Sequence, residues 1–320
     1  LCLGNRSRLD GCHWAVNLRI FPAVVEEGAL SISCRCSQRK GGDQVLADFK
    51  AVKSTPSFIL KMVVLFLFVF PFLWMISTSL QTHQETMTFP PTWIPAWPQW
   101  INFANAMSAG PFVTYAANSI IVTCSIILLQ MAVMIPAAYS FAKYEFAGSK
   151  LLFALVLLAF MIPGQVTFIP VYLMLADWGL IKTLLPQIIP FMSNAFGIFL
   201  LRQYFMQIPQ EIIESARLDN ASELQIIRKI MIPMSKPALA TIALFSFVSH
   251  WNDYFWPLVM TDSAAVRPLT MGIAMLRETE GISNWHIIMA GNVVLVVPIL
   301  IVYVLASKQI VRAFVYSGIK

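Results

Sequence analysis

The amino-acid sequence predicts an all-α protein that crosses a membrane six times, and three observations carry that prediction. Of 320 residues, 58% are hydrophobic and only 12% charged, about half the charge of a soluble globular domain. Mean hydropathy is +0.70. Charge is also missing in long blocks: no Asp, Glu, Lys or Arg lies between Glu85 and Lys143, between Lys150 and Asp177, or between Gly281 and Ser307. A hydrocarbon core about 30 Å thick takes roughly 20 apolar helical residues to cross, and the helix satisfies its own backbone there.

Taken in order, residues 1–56 stand apart. They are mixed in charge, lack helical apolar periodicity and precede the first methionine, Met62. They read as a disordered extension or as sequence upstream of the true start, and no function is expected there. Residues 57–320 are expected to form one six-span domain. Apolar segments long enough to span fall at 58–80, 113–140, 151–175, 184–206, 238–260 and 287–307. Several contain proline, which membrane helices tolerate because neighbouring groups satisfy the freed carbonyls.

The net charge of +6 would suggest nucleic acid on a soluble protein. Here the basic residues sit in alternate short connections: Lys143 and Lys150, then Arg202, Arg217, Arg228, Lys229 and Lys236, then Lys308, Arg312 and Lys320. That is the positive-inside pattern, so both termini are expected in the cytoplasm, with lipid as partner and nucleic acid excluded. The Pro- and Trp-rich loop from Phe89 to Met107 would then be external, as an interface anchor or a docking surface. Cys34 and Cys36 lack the paired spacing of a zinc site, so no metal ligand is expected. His250, Asn252 and Asp253 have no nucleophile or metal beside them and read as ring packing and anchoring. No catalytic residue is predicted.

The connection between spans four and five, residues 207–237, reads as two short helices. Pro209 suits a first turn. Ile212, Ile213 and Ala216 form an apolar stripe, with Glu214 and Arg217 placed to pair opposite it. Asn220 can end this helix because Asn enters the left-handed region readily. Ser222 and Gln225 then read as a capping box, with Glu223 at the positive end of the helix dipole. Leu224, Ile227 and Met231 suggest a second apolar face, and Pro233 closes it. Such faces can rest on the bilayer, on the bundle or in a partner's groove, and spacing does not choose among these.

The run ESARLDNASELQIIRKIMIP, residues 214–233, resembles the EAA loop of binding-protein-dependent ABC transporter permeases. Glu214, Ala216, Asp219, Ile230 and Pro233 fall in register with it; Ser215 replaces an Ala and Asn220 replaces a Gly. The stretches FPFLWMISTSL (70–80), NSIIVT (118–123) and WNDYFWPL (251–258) resemble the carbohydrate-importing, MalG-like branch. The resemblance implies a type I importer permease, half of a membrane pair. It would work with a second permease, a cytoplasmic ATPase dimer and an extracytoplasmic solute-binding protein. ATP and Mg would be bound by that ATPase and no cofactor by this chain, which has no phosphate-binding loop, since Gly148-Ser149-Lys150 has the wrong lead-in. Glu214, Ser215, Ala216, Asp219, Asn220, Ile230 and Pro233 would carry the coupling.

Polar residues inside spans are costly unless they face a cavity or another helix. Among Asn118, Gln130, Gln165, Gln187, Asn194, Ser246, His250 and Asn292, the substrate-path candidates are Gln165 and Asn194, beside helix-loosening Gly164 and Gly197, and then Asn118. Uncharged amides suit a sugar or sugar-like solute, such as an oligosaccharide or glycerol 3-phosphate. The rival is an ion-coupled secondary transporter, which needs intramembrane charge that the spans almost lack.

Overall fold

The computed structural model describes residues 55–280 and 284–317, and side chains over 58–277 and 284–307. The chain divides into two units, Leu1–Met62 and Val63–Lys320; the second is described here. The expectations for residues 1–54 and for the C-terminal Lys320 lie outside the described residues. Among the described residues there is helix and no strand, as the sequence predicts.

Among the described residues three helices are long and apolar enough to cross a membrane, or up to five spans if each bent pair counts as one, against the six expected: α1 (Thr55–Ser79), which becomes a candidate span from Phe58, and two further on. Two short helices follow α1, α2 (His83–Met87) and α3 (Ile101–Ser108). The second long helix is α4 (Phe112–Lys143). The remaining expected spans are broken. Span three is α5 (Ser149–Met161) and α6 (Gly164–Asp177), bent by 95°. The break has a local cause: Ile162 precedes Pro163 and is driven to the extended region (φ −78, ψ 118). The segment expected as span four forms α7 (Leu185–Ile188), a 3₁₀ turn (Ile189–Phe191) and α8 (Ala195–Met206), a shorter apolar helix than a full span needs.

The elbow comes next, α9 (Gln210–Leu218) and α10 (Glu223–Met234). An 81° bend leads into α11 (Lys236–Trp251), followed by α12 (Phe255–Met260). A 3₁₀ turn (Ala264–Val266) and α13 (Leu269–Glu280) precede α14 (Trp285–Ser317), whose candidate span ends at Ser307.

Among the described residues four buried clusters hold these elements, two of them large. One gathers Met134 and Ala138 of α4, Leu201 and Phe205 of α8, Ile213 and Ile226 of the elbow, and Ile242 of α11. The other joins Tyr115 of α4, Trp251 of α11, Leu276 of α13 and Ala290 of α14. α4 therefore belongs to both. Gly197 does not loosen α8: a Cβ there would sit 2.1 Å from the Met134 sulfur, so the missing side chain lets α8 approach α4 closely. At the other core a Cβ on Gly272 would fall 2.4 Å from the Tyr115 ring. α1 presents apolar side chains outward; Phe66, Leu67 and Phe68 are all exposed.

The elbow and the far end of α4

The turn between α9 and α10 is made by backbone hydrogen bonds. The Ala221 N–H donates to the Ala216 carbonyl at 3.0 Å and the Asn220 N–H to the Arg217 carbonyl at 3.0 Å, the paired bonds of a Schellman motif. That motif needs a left-handed residue, and Asn220 supplies it at φ 56. Gly179 does the same after α6 at φ 69, with matching bonds from Leu180 and Gly179. Asn220 thus fills the glycine's place without changing the turn. Ser222 restarts the helix: its Oγ accepts the Gln225 N–H, while the Ser222 N–H donates back to Gln225 Oε1 at 3.0 Å. α10 then widens to a π turn over Ile227–Met231, with the Ile232 N–H reaching the Ile227 carbonyl. It lies just before Pro233, whose ring and missing N–H disrupt ordinary helical bonding. Pro233 does not close the helix, which runs on to Met234.

Three expectations for the elbow are corrected. Pro209 is the N-cap (ψ 138) and Gln210 the first helical residue. Arg217 pairs with Glu223 at 3.0 Å rather than with Glu214, because the turn at Asn220 folds α10 back beside it. Leu224 is 73% exposed, and Ile226 takes the buried position with Met231. Of the stripe on α9, Ile213 is buried and Ile212 exposed. The coupling candidates sit mainly on the outer surface: Glu214, Ser215, Asp219, Asn220 and Pro233 are exposed, while Ala216 and Ile230 are half-buried. Ser215 donates to the Glu211 carbonyl at 2.7 Å. Leu218, on the last turn of α9, is 85% exposed; sequence periodicity did not single it out.

Beneath the knee is a cluster that sequence reading also missed. Tyr139 of α4 donates its O–H to Glu223 Oε2. Arg217 Nη2 donates to the Tyr144 hydroxyl at 3.0 Å, its guanidinium 5.3 Å from that ring's centre. The Tyr139 and Tyr144 rings meet edge to face at 5.7 Å. Lys143 Nζ donates to the Ile208 carbonyl at 2.6 Å, and Arg202 Nε to the Phe141 carbonyl at 3.0 Å. Charges such as Glu223, Arg228 and Lys229 are costly in hydrocarbon, which puts the elbow outside the bilayer. Burial pushes the Glu223 carboxyl up, but hydrogen bonds from Tyr139, Tyr144 and Arg217 outweigh it and hold it below its ordinary value. Arg217 is correspondingly raised, chiefly by its bond to Glu223.

At the far end of α4 the polar residues are spent on backbone. Asn118 Nδ2 donates to the carbonyls of Ala265 and Arg267 at 2.8 and 2.9 Å. Ser119 Oγ accepts the Leu269 N–H at 2.8 Å, and Gln187 Nε2 donates to the Val266 carbonyl at 2.8 Å. Gln130 spans from Ser246 to the Phe191 carbonyl. Both amide hydrogens of Asn118 are thus engaged in holding the 264–269 segment. Asn194 is the N-cap of α8, its Oδ1 accepting the Gly197 N–H at 3.0 Å, at the break between the 3₁₀ turn and α8. Gln165 is exposed on the first turn after the 95° break. The structure does not bring these three together. His250 lies 4.7 Å from the Phe191 ring, the packing role expected of it.

A separate cavity of about 950 Å³ is lined by Asn252, Tyr254, Thr270, Arg277, Trp285 and Asn292, among others. The Arg277 guanidinium lies 6.0 Å from the Trp285 ring centre. In the Trp-rich loop, Trp93 packs against Phe70 and Trp74, whereas Trp97 and Trp100 are exposed. Glu85 organises this loop by accepting the N–H groups of Thr82 and Ala96, which hold its carboxyl below the usual range. Among the described residues no cluster of His, Cys, Asp or Glu is arranged to hold a metal ion.

Residues 134–316 match the family of binding-protein-dependent transport system inner membrane components. The chain belongs to this family. The permease is 31% identical to the arabinooligosaccharides transport system permease protein AraQ of Halalkalibacterium halodurans, over 80% of this chain and 92% of that one. It is 31% identical to the sn-glycerol-3-phosphate transport system permease protein UgpE of Yersinia pestis, over 71% and 84%. A solved bacterial ABC transporter involved in import of the acidic polysaccharide alginate contains a chain that superposes with a TM-score of 0.70 and 26% identity, covering 85% of this permease and 99% of that chain. The permease is therefore a multi-pass inner-membrane component of an ABC importer, and the elbow lies inside the matched segment.

Proposed function

We propose that this permease carries a sugar or sugar-like solute across the inner membrane as one of two permease subunits. A cytoplasmic ATPase dimer drives it, and an extracytoplasmic binding protein delivers the solute. The observation that carries this reading is the exposed surface of the elbow, which includes the large apolar Leu218 and Leu224 as well as Glu214 and Asp219. Large apolar side chains on a polar surface mark a place where another protein docks. The basic residues along the elbow support its facing the cytoplasm, with both termini on that side. ATP and Mg are held by the ATPase, and no cofactor by this chain. Solute class follows from the named relatives, two of which serve an arabinooligosaccharide and a glycerol phosphate system. The cavity beside Trp285, with amides, a hydroxyl, two aromatic rings and a guanidinium, and the exposed Gln165 offer hydroxyl-rich and acidic sugars suitable partners.

The test is a Leu218→Asp permease expressed with its importer. The unaltered permease is expected to co-purify with the ATPase and to take up solute only with ATP. The variant is expected to lose at least nine-tenths of the bound ATPase while still folding in the membrane. Uptake by this chain alone, driven by an ion gradient, would establish the secondary-transporter rival instead.

A further inference from the structure

The elbow continues covalently into α8 and α11, yet its polar contacts at the knee go to neither. They go to the end of α4. Glu223, on the first turn of α10, takes the hydroxyl proton of Tyr139; Arg217, on the last turn of α9, holds Tyr144, the residue that caps α4. The Arg217–Glu223 pair, 3.0 Å apart, ties the two elbow helices across the knee. Each elbow helix therefore grips the tyrosines at the end of α4, and the two grips are joined. Below them Ile213 and Ile226 are buried in the core that contains Ala138 and Tyr139.

The same helix is fastened at its other end. Asn118 and Ser119 hold the backbone of Ala265, Arg267 and Leu269. Asn118 and Tyr139 are roughly 30 Å apart along the axis at 1.5 Å per residue, about the thickness of a hydrocarbon core. Pro136 lies between them without ending the helix.

We propose that Tyr139, Arg217 and Glu223 are positioning residues that make elbow and α4 move as one body, so that α4 conveys the elbow's displacement to the 264–269 segment across the membrane. A partner pressing on Leu218 and Leu224 pushes a knee that cannot yield separately from α4. Movement of the knee therefore becomes tilt of α4, and tilt of α4 drags the segment stapled to Asn118. This rests on the reading that an ATPase docks at the elbow.

The variants are Tyr139→Phe, which removes one hydroxyl and keeps the ring, and Glu223→Gln, which removes the charge and keeps the shape. Amide hydrogen exchange over residues 210–222 is read on the permease alone in lipid nanodiscs. It is expected to quicken at least 5-fold in either variant, with 195–206 unchanged. In the reconstituted importer, solute taken up per ATP hydrolysed is expected to fall at least 5-fold while the ATPase remains bound, since Leu218 and Leu224 are untouched. Unchanged exchange in both variants overturns the tie. Faster exchange with unchanged uptake per ATP overturns transmission through α4, because the elbow would then be held but not used. If the unaltered permease binds no ATPase, the functional reading fails along with transmission, and exchange still judges the tie.

Discussion

The two ends of α4 are fastened by different chemistry, and the contrast shows what each end is for. At the 264–269 end the bonds run from a buried amide and to a buried hydroxyl, with backbone as partner: Asn118 is 6% exposed and Ser119 3%. At the elbow the bonds join side chains to one another: Tyr139 is 3% exposed, but the ion pair of Arg217 and Glu223 is open to solvent at 36% and 45%. Buried polar groups are costly to leave unpaired, whereas an exposed ion pair is worth about 0–1 kcal/mol. The first end is built to stay made. At the second end the ion pair itself stabilises little, which fits the proposed use of its geometry as a joint between elbow and α4.

The sharpest way to break this contrast is Asn118→Leu. It removes both donated bonds and leaves the carbonyls of Ala265 and Arg267 without them. A loss of about 2 kcal/mol follows from removing two part-buried hydrogen bonds at about 1 kcal/mol each. The thermal midpoint in nanodiscs should drop by several degrees, while Tyr139→Phe moves it by less than a third as much. Equal shifts for the two would erase the distinction between a fixed end and a working end.

Packing offers a second, smaller test. Gly272 lies against Tyr115, where an added Cβ would fall 2.4 Å from a ring that is 4% exposed. Gly272→Ala should cost about 1–3 kcal/mol through forced repacking. Tyr115→Leu made alongside it should recover part of the loss, because a smaller side chain admits the methyl group. Strict additivity of the two changes would show that the contact is not tight.

Much of this architecture is legible in the sequence, and what is not has physical causes. Hydropathy and charge gaps locate α1, α4 and α14 because a continuous span needs only length and apolarity. They cannot locate breaks. Ile162-Pro163 turns a segment by 95°, yet Pro136 and Pro298 remain inside unbroken helices, so proline alone does not say where a span parts. The knee is readable because its motifs are local: the Asn220 turn and the Ser222 box involve residues a few positions apart. The tie is not readable, since Tyr139 and Glu223 are 84 positions apart and no local pattern links them. Glu223 reads as a dipole partner from sequence and becomes a joint only in three dimensions. Asn118 reads as a candidate for solute contact because burial of an amide is visible, whereas the backbone that occupies it is not.

Acid provides the mildest perturbation that still separates the two ends. The folded state holds the Glu223 carboxyl below its ordinary 4.5, hydrogen bonds outweighing burial. A lowered carboxylate contributes its stabilisation fully above the ordinary value and loses it as pH falls through the lowered one. The elbow tie is therefore intact at neutral pH and weakens below about 4.5, by no more than a fraction of a kcal/mol because solvent screens the pair. The bonds at Asn118 and Ser119 are amide and hydroxyl bonds with no proton to gain in this range. A fluorine label at position 218 should sharpen below that pH, and one at position 265 should not. In Glu223→Gln the label at 218 should already be sharp at neutral pH and respond no further. High salt at neutral pH, where screening acts over about 3 Å at 1 M, should shift the first label in the same direction. Matching responses from both labels, or a Glu223→Gln response like that of the unaltered permease, would place the acid-sensitive joint elsewhere.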